Sequence, residues 1–252
     1  MTLNKYEKKR ILVTVKTYPN PNPEFGETVC CAGIDLETNQ LIRLYPITFR
    51  YLDENKKFRK YSIIEAECCR SKEDTRPESH HVNCDSIEVK KVLDPENGTW
   101  KSRKEIVLKA PIKTMCQIRE EAATSNISLG IIKPENISFD YTKRLASDPM
   151  AREACYTQLS FLNKQINKIE YIPFQFYYKF KCAGFDQCPG HDLPIVDWEI
   201  GQAYRDWRSK YTDETILLEK ITEKWLDIAD TEKRDVHFYV GNLKCNKKLL
   251  WY

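Results

Sequence analysis

Long apolar runs are missing from this chain. No stretch approaches the roughly 18 uninterrupted apolar residues that a membrane helix needs, so no membrane partner is expected. The opening residues, MTLNKYEKKRILVTVKTYP, lack both an apolar core and a small-residue cleavage site. No secretory signal is therefore expected, and the expected location is the cytoplasm. Also missing are the P-loop, GxGxxG, HExxH and GxSxG patterns, which leaves no complete catalytic signature. There is no excess of one charge either. Forty Lys and Arg face 37 Asp and Glu, a net charge of +3, so an anionic ligand would have to be met by local clustering. No repeat of solenoid period and no low-complexity tract interrupts the chain.

What is present is enough apolar material for a real core. The chain has 252 residues, 41% of them hydrophobic and 31% charged, which fits one large domain or two ordinary ones. It also has 10 cysteines. In a reducing compartment these are not a disulfide frame. Cys30 with Cys31, and Cys68 with Cys69, are adjacent pairs inside apparent strands. Neighbours on a strand point to opposite faces, so these four read as core residues, not chelates.

The first hundred residues read as strands: Arg10 to Thr17, a hairpin from Thr28 to Asp35 and Gln40 to Pro46, then Tyr61 to Cys69 and Ile87 to Leu93. The Arg10 to Thr17 run alternates, and the polar cluster Arg76 to His81 reads as a loop. Five short strands with a hairpin predict a small, partly closed barrel. Residues 101–127 predict a helical connector, with helices over Ser102 to Lys109 and Ile112 to Ala123 parted by Pro111. Residues 128–252 form the second predicted domain. It contains strands over Leu129 to Ile132, Ile137 to Tyr141, Phe174 to Lys181 and Val236 to Val240. Its predicted helices cover residues 148–164, Ile195 to Lys210 and Asp213 to Ala229.

The sharpest chemical signal is Cys182-Ala-Gly-Phe-Asp-Gln-Cys188-Pro-Gly-His191. Thiolate and imidazole are the usual ligands of structural zinc. Gly184, Pro189 and Gly190 let the chain turn so that all three side chains aim at one point. A fourth ligand must come from elsewhere. Cys116, Cys155 and Cys245 are the candidates, and Cys116 is favoured because its segment would pack between the halves. Three cysteines and one histidine suit zinc best, with an iron–sulfur cluster as the alternative. A Cys188–His191 nucleophile and base is disfavoured, since three residues on a turn give poor geometry and no third group orients them.

Basic and aromatic residues interleave in the first half. Lys16, Arg43, Arg50 and Arg76 are placed to contact phosphates, and Tyr18 or Tyr45 to stack on a base. That mixture suits single-stranded nucleic acid, with binding that falls steeply with salt. The competing reading is a solvated charged face diluted by Asp53, Glu54, Glu65 and Glu67. Asp197 and Glu199 open a second route, a metal-dependent nuclease or nucleotide hydrolase. Their position at a helix start is explained more simply by the helix dipole.

Several stretches carry a family resemblance: Lys16-Thr17-Tyr18-Pro19, Cys31-Ala32-Gly33-Ile34, Ile42 through Ile47 with Phe49-Arg50, and Asp74 through Ser79. Ser128-Leu129-Gly130, Cys182 through His191 and Asp197 through Gly201 continue it. In these the chain resembles an uncharacterised bacterial and phage family described as a dual OB-containing domain. The resemblance implies an α+β fold of two OB-like small β-barrels with inserted and C-terminal helices, the first in residues 1–100. It implies no settled enzymatic activity. It also implies links to mobile elements and anti-phage defence, and hence a nucleic-acid ligand or a protein partner from such a system. The C-terminal LKCNKKLLWY is shorter than the family's last strand, which bears on closure of the second barrel. The combined expectation is a non-catalytic, metal-stabilised module that binds single-stranded nucleic acid. A pure interaction protein or inhibitor is the third reading.

Overall fold

A computed structural model of the chain describes residues 5–22, 24–145, 152–153, 157, 168–242 and 249–251. The expected helix over residues 148–164, with Cys155, lies almost wholly outside these residues, as does Cys245.

The first half is a closed ring of five strands: β1 (Glu7–Lys16), β3 (Gly26–Asp35), β4 (Leu41–Ile47), β6 (Ser79–Val82) and β5 (Ser62–Arg70), which returns to β1. The short β2 (Asn20–Asn22) pairs with β3, and β7 (Glu88–Val92) pairs with β5. Every pairing in the ring is antiparallel except β4–β6. Asn39 takes φ +55 in the β3–β4 turn, a conformation asparagine tolerates better than most residues. The stretch predicted as a loop, Arg76 to His81, contributes β6. Its only parallel partners are Arg43 opposite Ser79 and Leu44 opposite His80. So short a strand has too few residues to show a period.

The run Ile11 to Val15 is buried at every position and does not alternate. Ile11 and Val13 point into the barrel with Val29, Cys31, Ile42, Leu44, Ile64 and Cys68. Leu12 and Ile34 point outward against Val107, Ala110 and Ile131. Val15 and Ala32 meet Leu129. A strand covered on both faces reads as a continuous apolar run.

The predicted connector divides between the halves. Helix α1 (Lys101–Val107) lies against the outside of the barrel through Val107. Beyond Pro111, the short β8 (Ile112–Lys113) and helix α2 (Met115–Thr124) belong to the second half. Thr114 starts α2 with a capping box, its hydroxyl accepting from Gln117 N–H while the Gln117 side chain accepts from Thr114 N–H. Met115 and Ile118 then enter the second core.

That core lies between two sheets and two further helices. One sheet is β10 (Pro134–Lys143), β11 (Phe174–Cys182) and β12 (His191–Pro194), all antiparallel. The other runs β14 (Leu249–Trp251), β13 (Phe238–Asn242), β9 (Gly130–Ile132) and β8. The described strands do not join into the second closed ring that was expected. Phe174, Phe176, Tyr178 and Phe180 alternate inward along β11, where they meet α3 (Trp198–Trp207), α4 (Glu214–Ile228) and β13. Asp197 and Asp213 cap the two helices by accepting from backbone N–H groups of their first turns. Helix α3 thus begins later than predicted, and Ile195 and Val196 stay extended to bond Phe176 and Tyr18. No helix among the described residues is long and apolar enough to cross a membrane.

Candidate metal centre

The ladder of β11 ends at Cys182, opposite Pro134. The chain then turns twice, with Phe185 N–H donating to Cys182 O and Cys188 N–H to Phe185 O. Gly184 at φ +69 and Gly190 at φ +85 adopt left-handed conformations that a side chain would strain. His191 returns as the first residue of β12, opposite Phe180. Helix α2 presents Cys116 from its first turn to the same point.

Three sulfurs surround one imidazole nitrogen. His191 Nε2 lies 3.5 Å from Cys116 Sγ, 3.4 Å from Cys182 Sγ and 3.2 Å from Cys188 Sγ. All four ligand atoms lie within 4.8 Å of one another. A neutral imidazole nitrogen has one lone pair and cannot accept from three thiols at once. A tetrahedral ion with bonds of about 2.3 Å to sulfur and 2.0 Å to nitrogen sets sulfur–nitrogen edges near 3.5 Å. The cluster has the spacing of a single-ion site.

The surroundings act on each ligand differently. Burial, with the charge of Arg119 second, pushes the His191 imidazole down to about 4 and keeps it a neutral ligand. Its Nδ1 is buried without a hydrogen-bond partner. Burial also pushes the Cys182 thiol up to about 11. Cys188 is lowered: burial opposes its ionisation, but N–H groups of Cys182 and Gly190 and the neighbouring thiols outweigh it. Met115 N–H donates to Cys182 Sγ at 3.2 Å, and Cys182 N–H to Cys188 Sγ at 3.3 Å, support that anionic sulfur uses. Cys182, Cys188 and His191 are buried, and Cys116 is partly buried.

Most of the residues expected to meet nucleic acid make contacts within the chain. Arg43, 3% exposed, donates to Ser128 Oγ at 2.8 Å and faces Glu78 at 4.0 Å. Glu78 in turn accepts from Ser128 N–H at 2.8 Å. Arg76, 6% exposed, donates to Asn242 O and Oδ1 at 2.6 Å each and to both oxygens of Asp74. Neither guanidinium is at the surface, and each ties the barrel to a residue of the second half, Ser128 for Arg43 and Asn242 for Arg76. Lys16 lies over the rings of Phe49 at 4.0 Å and Trp198 at 4.5 Å. Tyr18 donates its hydroxyl to Glu170 O at 2.9 Å, and its ring packs on Gly201, where no β-carbon fits. Arg50 donates to the buried Glu27 at 2.8 Å. Tyr45 alone of the six is exposed.

Asp197 and Glu199 do not form an open ion site. Lys60 Nζ donates to both, at 2.8 Å to Glu199. Burial works against the Lys60 charge, but the two carboxylates hold its pKa above the ordinary value. Its ammonium stands where a divalent ion would have to bind. Sequence reasoning missed Lys60, Asp74, Glu78, Ser128 and Asn242 as members of this seam. The acids flanking Arg76 in Asp-Thr-Arg-Pro-Glu were the available signal, because a buried guanidinium needs carboxylates.

The comparisons divide the chain at the same place as the packing. Residues 7–109 match a family described as a domain of unknown function, DUF8758, and residues 111–251 match a second, DUF8757. The chain belongs to the DUF8757 family. No curated protein and no solved structure matches it. The DUF8757 region holds all four residues of the cysteine and histidine cluster, while the DUF8758 region holds the closed barrel.

Proposed function

We propose that this chain is a non-catalytic zinc protein whose OB-type barrel binds single-stranded nucleic acid, with the ion holding the DUF8757 half in shape. The observation that carries the metal is the convergence of three sulfurs on one imidazole nitrogen. A cluster would place several iron atoms between the ligands and spread them further, so the close spacing favours one zinc ion over iron–sulfur. Four protein ligands leave no open position for substrate, which marks a structural site. Elemental analysis tests this. One zinc per chain in a colourless protein is the expected result, and iron or no metal would refute it.

The ring order β1-β3-β4-β6-β5, closed by one parallel pair, supports the OB reading. Such barrels bind oligonucleotides across their second and third strands and the adjoining loops. Here those strands are β3 and β4. Leu129, Val196 and Tyr239 cover part of their outer face. The uncovered end presents Tyr45, joined to Asn22 and Thr28 through its hydroxyl, with Phe25 and Tyr51 also exposed. With Arg50 held by Glu27, stacking and not phosphate neutralisation supplies the affinity. The salt dependence is accordingly shallow, with a slope of roughly one or two counterions. Fluorescence anisotropy with a labelled single-stranded oligonucleotide tests it. Tyr45→Ala should weaken binding about tenfold, since stacking is worth roughly 1–3 kcal/mol per base. No binding at low salt, or binding indifferent to that substitution, refutes the nucleic-acid reading.

A further inference from the structure

We infer that Cys116 is a modification site at which a hydroperoxide oxidises the metal centre, and that Cys188 traps the product as a disulfide. This rests on the zinc reading above. Cys182, Cys188 and His191 are 1%, 4% and 5% exposed, so none of them meets a reagent from solvent directly. Cys116 is partly buried on the first turn of α2 and is the one ligand a small oxidant reaches. Its sulfur sits near the positive N-terminus of α2. Arg119 lies on the same helix three residues on and is exposed. That setting attracts a peroxide and stabilises the hydroxide it releases.

The resolving partner follows from the packing. Cys182 is fixed at the end of the β10–β11 ladder. Cys188 follows a loop whose residues Gly184, Phe185, Asp186 and Gln187 are all exposed, so its sulfur is the freer to move toward Cys116. The sulfurs of Cys116 and Cys188 lie within 4.8 Å of each other. Cys116 Sγ attacks one peroxide oxygen: an S–O bond forms, the O–O bond breaks, and hydroxide or alkoxide leaves. Cys188 Sγ then attacks the sulfenic sulfur: the S–S bond forms, the S–O bond breaks, and hydroxide leaves. Two thiolates give up two electrons and the peroxide takes them. With Cys116 and Cys188 joined in a disulfide, only Cys182 and His191 would remain to hold an ion, and a bound zinc would be released. Helix α2 stays tied to the β11–β12 hairpin, now by a covalent bond in place of the ion. The thiols of Cys31 and Cys68, enclosed in the barrel, are out of reach.

The test uses the zinc-loaded full chain, titrated with hydrogen peroxide at pH 7 beside a chromogenic zinc chelator, with peptide mapping of the products. One zinc released for each Cys116–Cys188 disulfide, and regained after dithiothreitol and added zinc, is the expected result. Cys116→His, which keeps four ligands, should release zinc at least tenfold more slowly. Should that variant fail to fold, the site of the first lesion in the native chain decides alone. Zinc retained while other cysteines oxidise, or release with the first lesion at another cysteine, overturns the inference and leaves the zinc reading standing. A purified chain without zinc overturns the zinc reading and the inference together.

Discussion

The seam between the halves can be broken at one ion pair. Arg43 and Glu78 have side chains 3% and 6% exposed and sit 4.0 Å apart, with Ser128 bonded to both. At an effective dielectric constant of about 20, two unit charges at that distance attract by about 4 kcal/mol. Removing one partner of a buried pair typically costs about 3–5 kcal/mol, because the other charge is stranded. Arg43→Met is therefore expected to destabilise the protein by about 4 kcal/mol. Glu78→Gln keeps an acceptor for Ser128 and is expected to cost about 3 kcal/mol. The double variant strands no charge and should be no worse than the poorer single one, a coupling of about 3 kcal/mol. Urea unfolding of the zinc-loaded chain, followed by tryptophan fluorescence, measures all three. Effects that add within about 0.5 kcal/mol would show that the two residues do not interact, and the reasoning would fall. If Arg43 instead served phosphate from the surface, its substitution would leave stability unchanged and abolish oligonucleotide binding.

Three further outcomes follow from other contacts. Gly201→Ala drives a β-carbon into the Tyr18 ring, which its hydroxyl bond to Glu170 holds in place; a loss of about 1–3 kcal/mol in the same unfolding assay is expected. Burial would raise the Asp74 carboxyl, but hydrogen bonds from Arg76 and Ser79 and the Arg76 charge bring it down to about 2. Its contribution is complete above the unfolded value near 3.9 and is lost as pH falls through about 2, so Asp74→Asn should flatten the acid limb of the stability curve between those values. Replacing zinc by cobalt should give the intense near-ultraviolet absorption of thiolate ligation, and Cys182→Ser should diminish it; an unchanged spectrum would remove Cys182 from the ligand set.

The residues themselves made the cysteine and histidine cluster legible. Cys182, Cys188 and His191 are close in sequence, and glycines at 184 and 190 serve the turns that bring them together. Helix α4 and strand β11 were legible too, because each has one buried face and hence a clear period. Choosing Cys116 as fourth ligand needed a guess about packing, since α2 and the hairpin meet only in three dimensions.

Tertiary structure alone decided what the charged and aromatic residues do. Lys16, Tyr18, Arg43 and Arg76 look like a nucleic-acid surface in one dimension, because a sequence does not say which side of a strand a second domain will cover. The folded chain buries Arg43 and Arg76 against Ser128 and Asn242 and stacks Lys16 on Trp198, all from the other half. The ring closure at β6 was hidden for a related reason: two residues of parallel pairing leave no local pattern, and only contact with β4 makes them a strand. Short-range chemistry was written in the sequence; the partners of long, charged side chains were set by which surfaces had to be desolvated together.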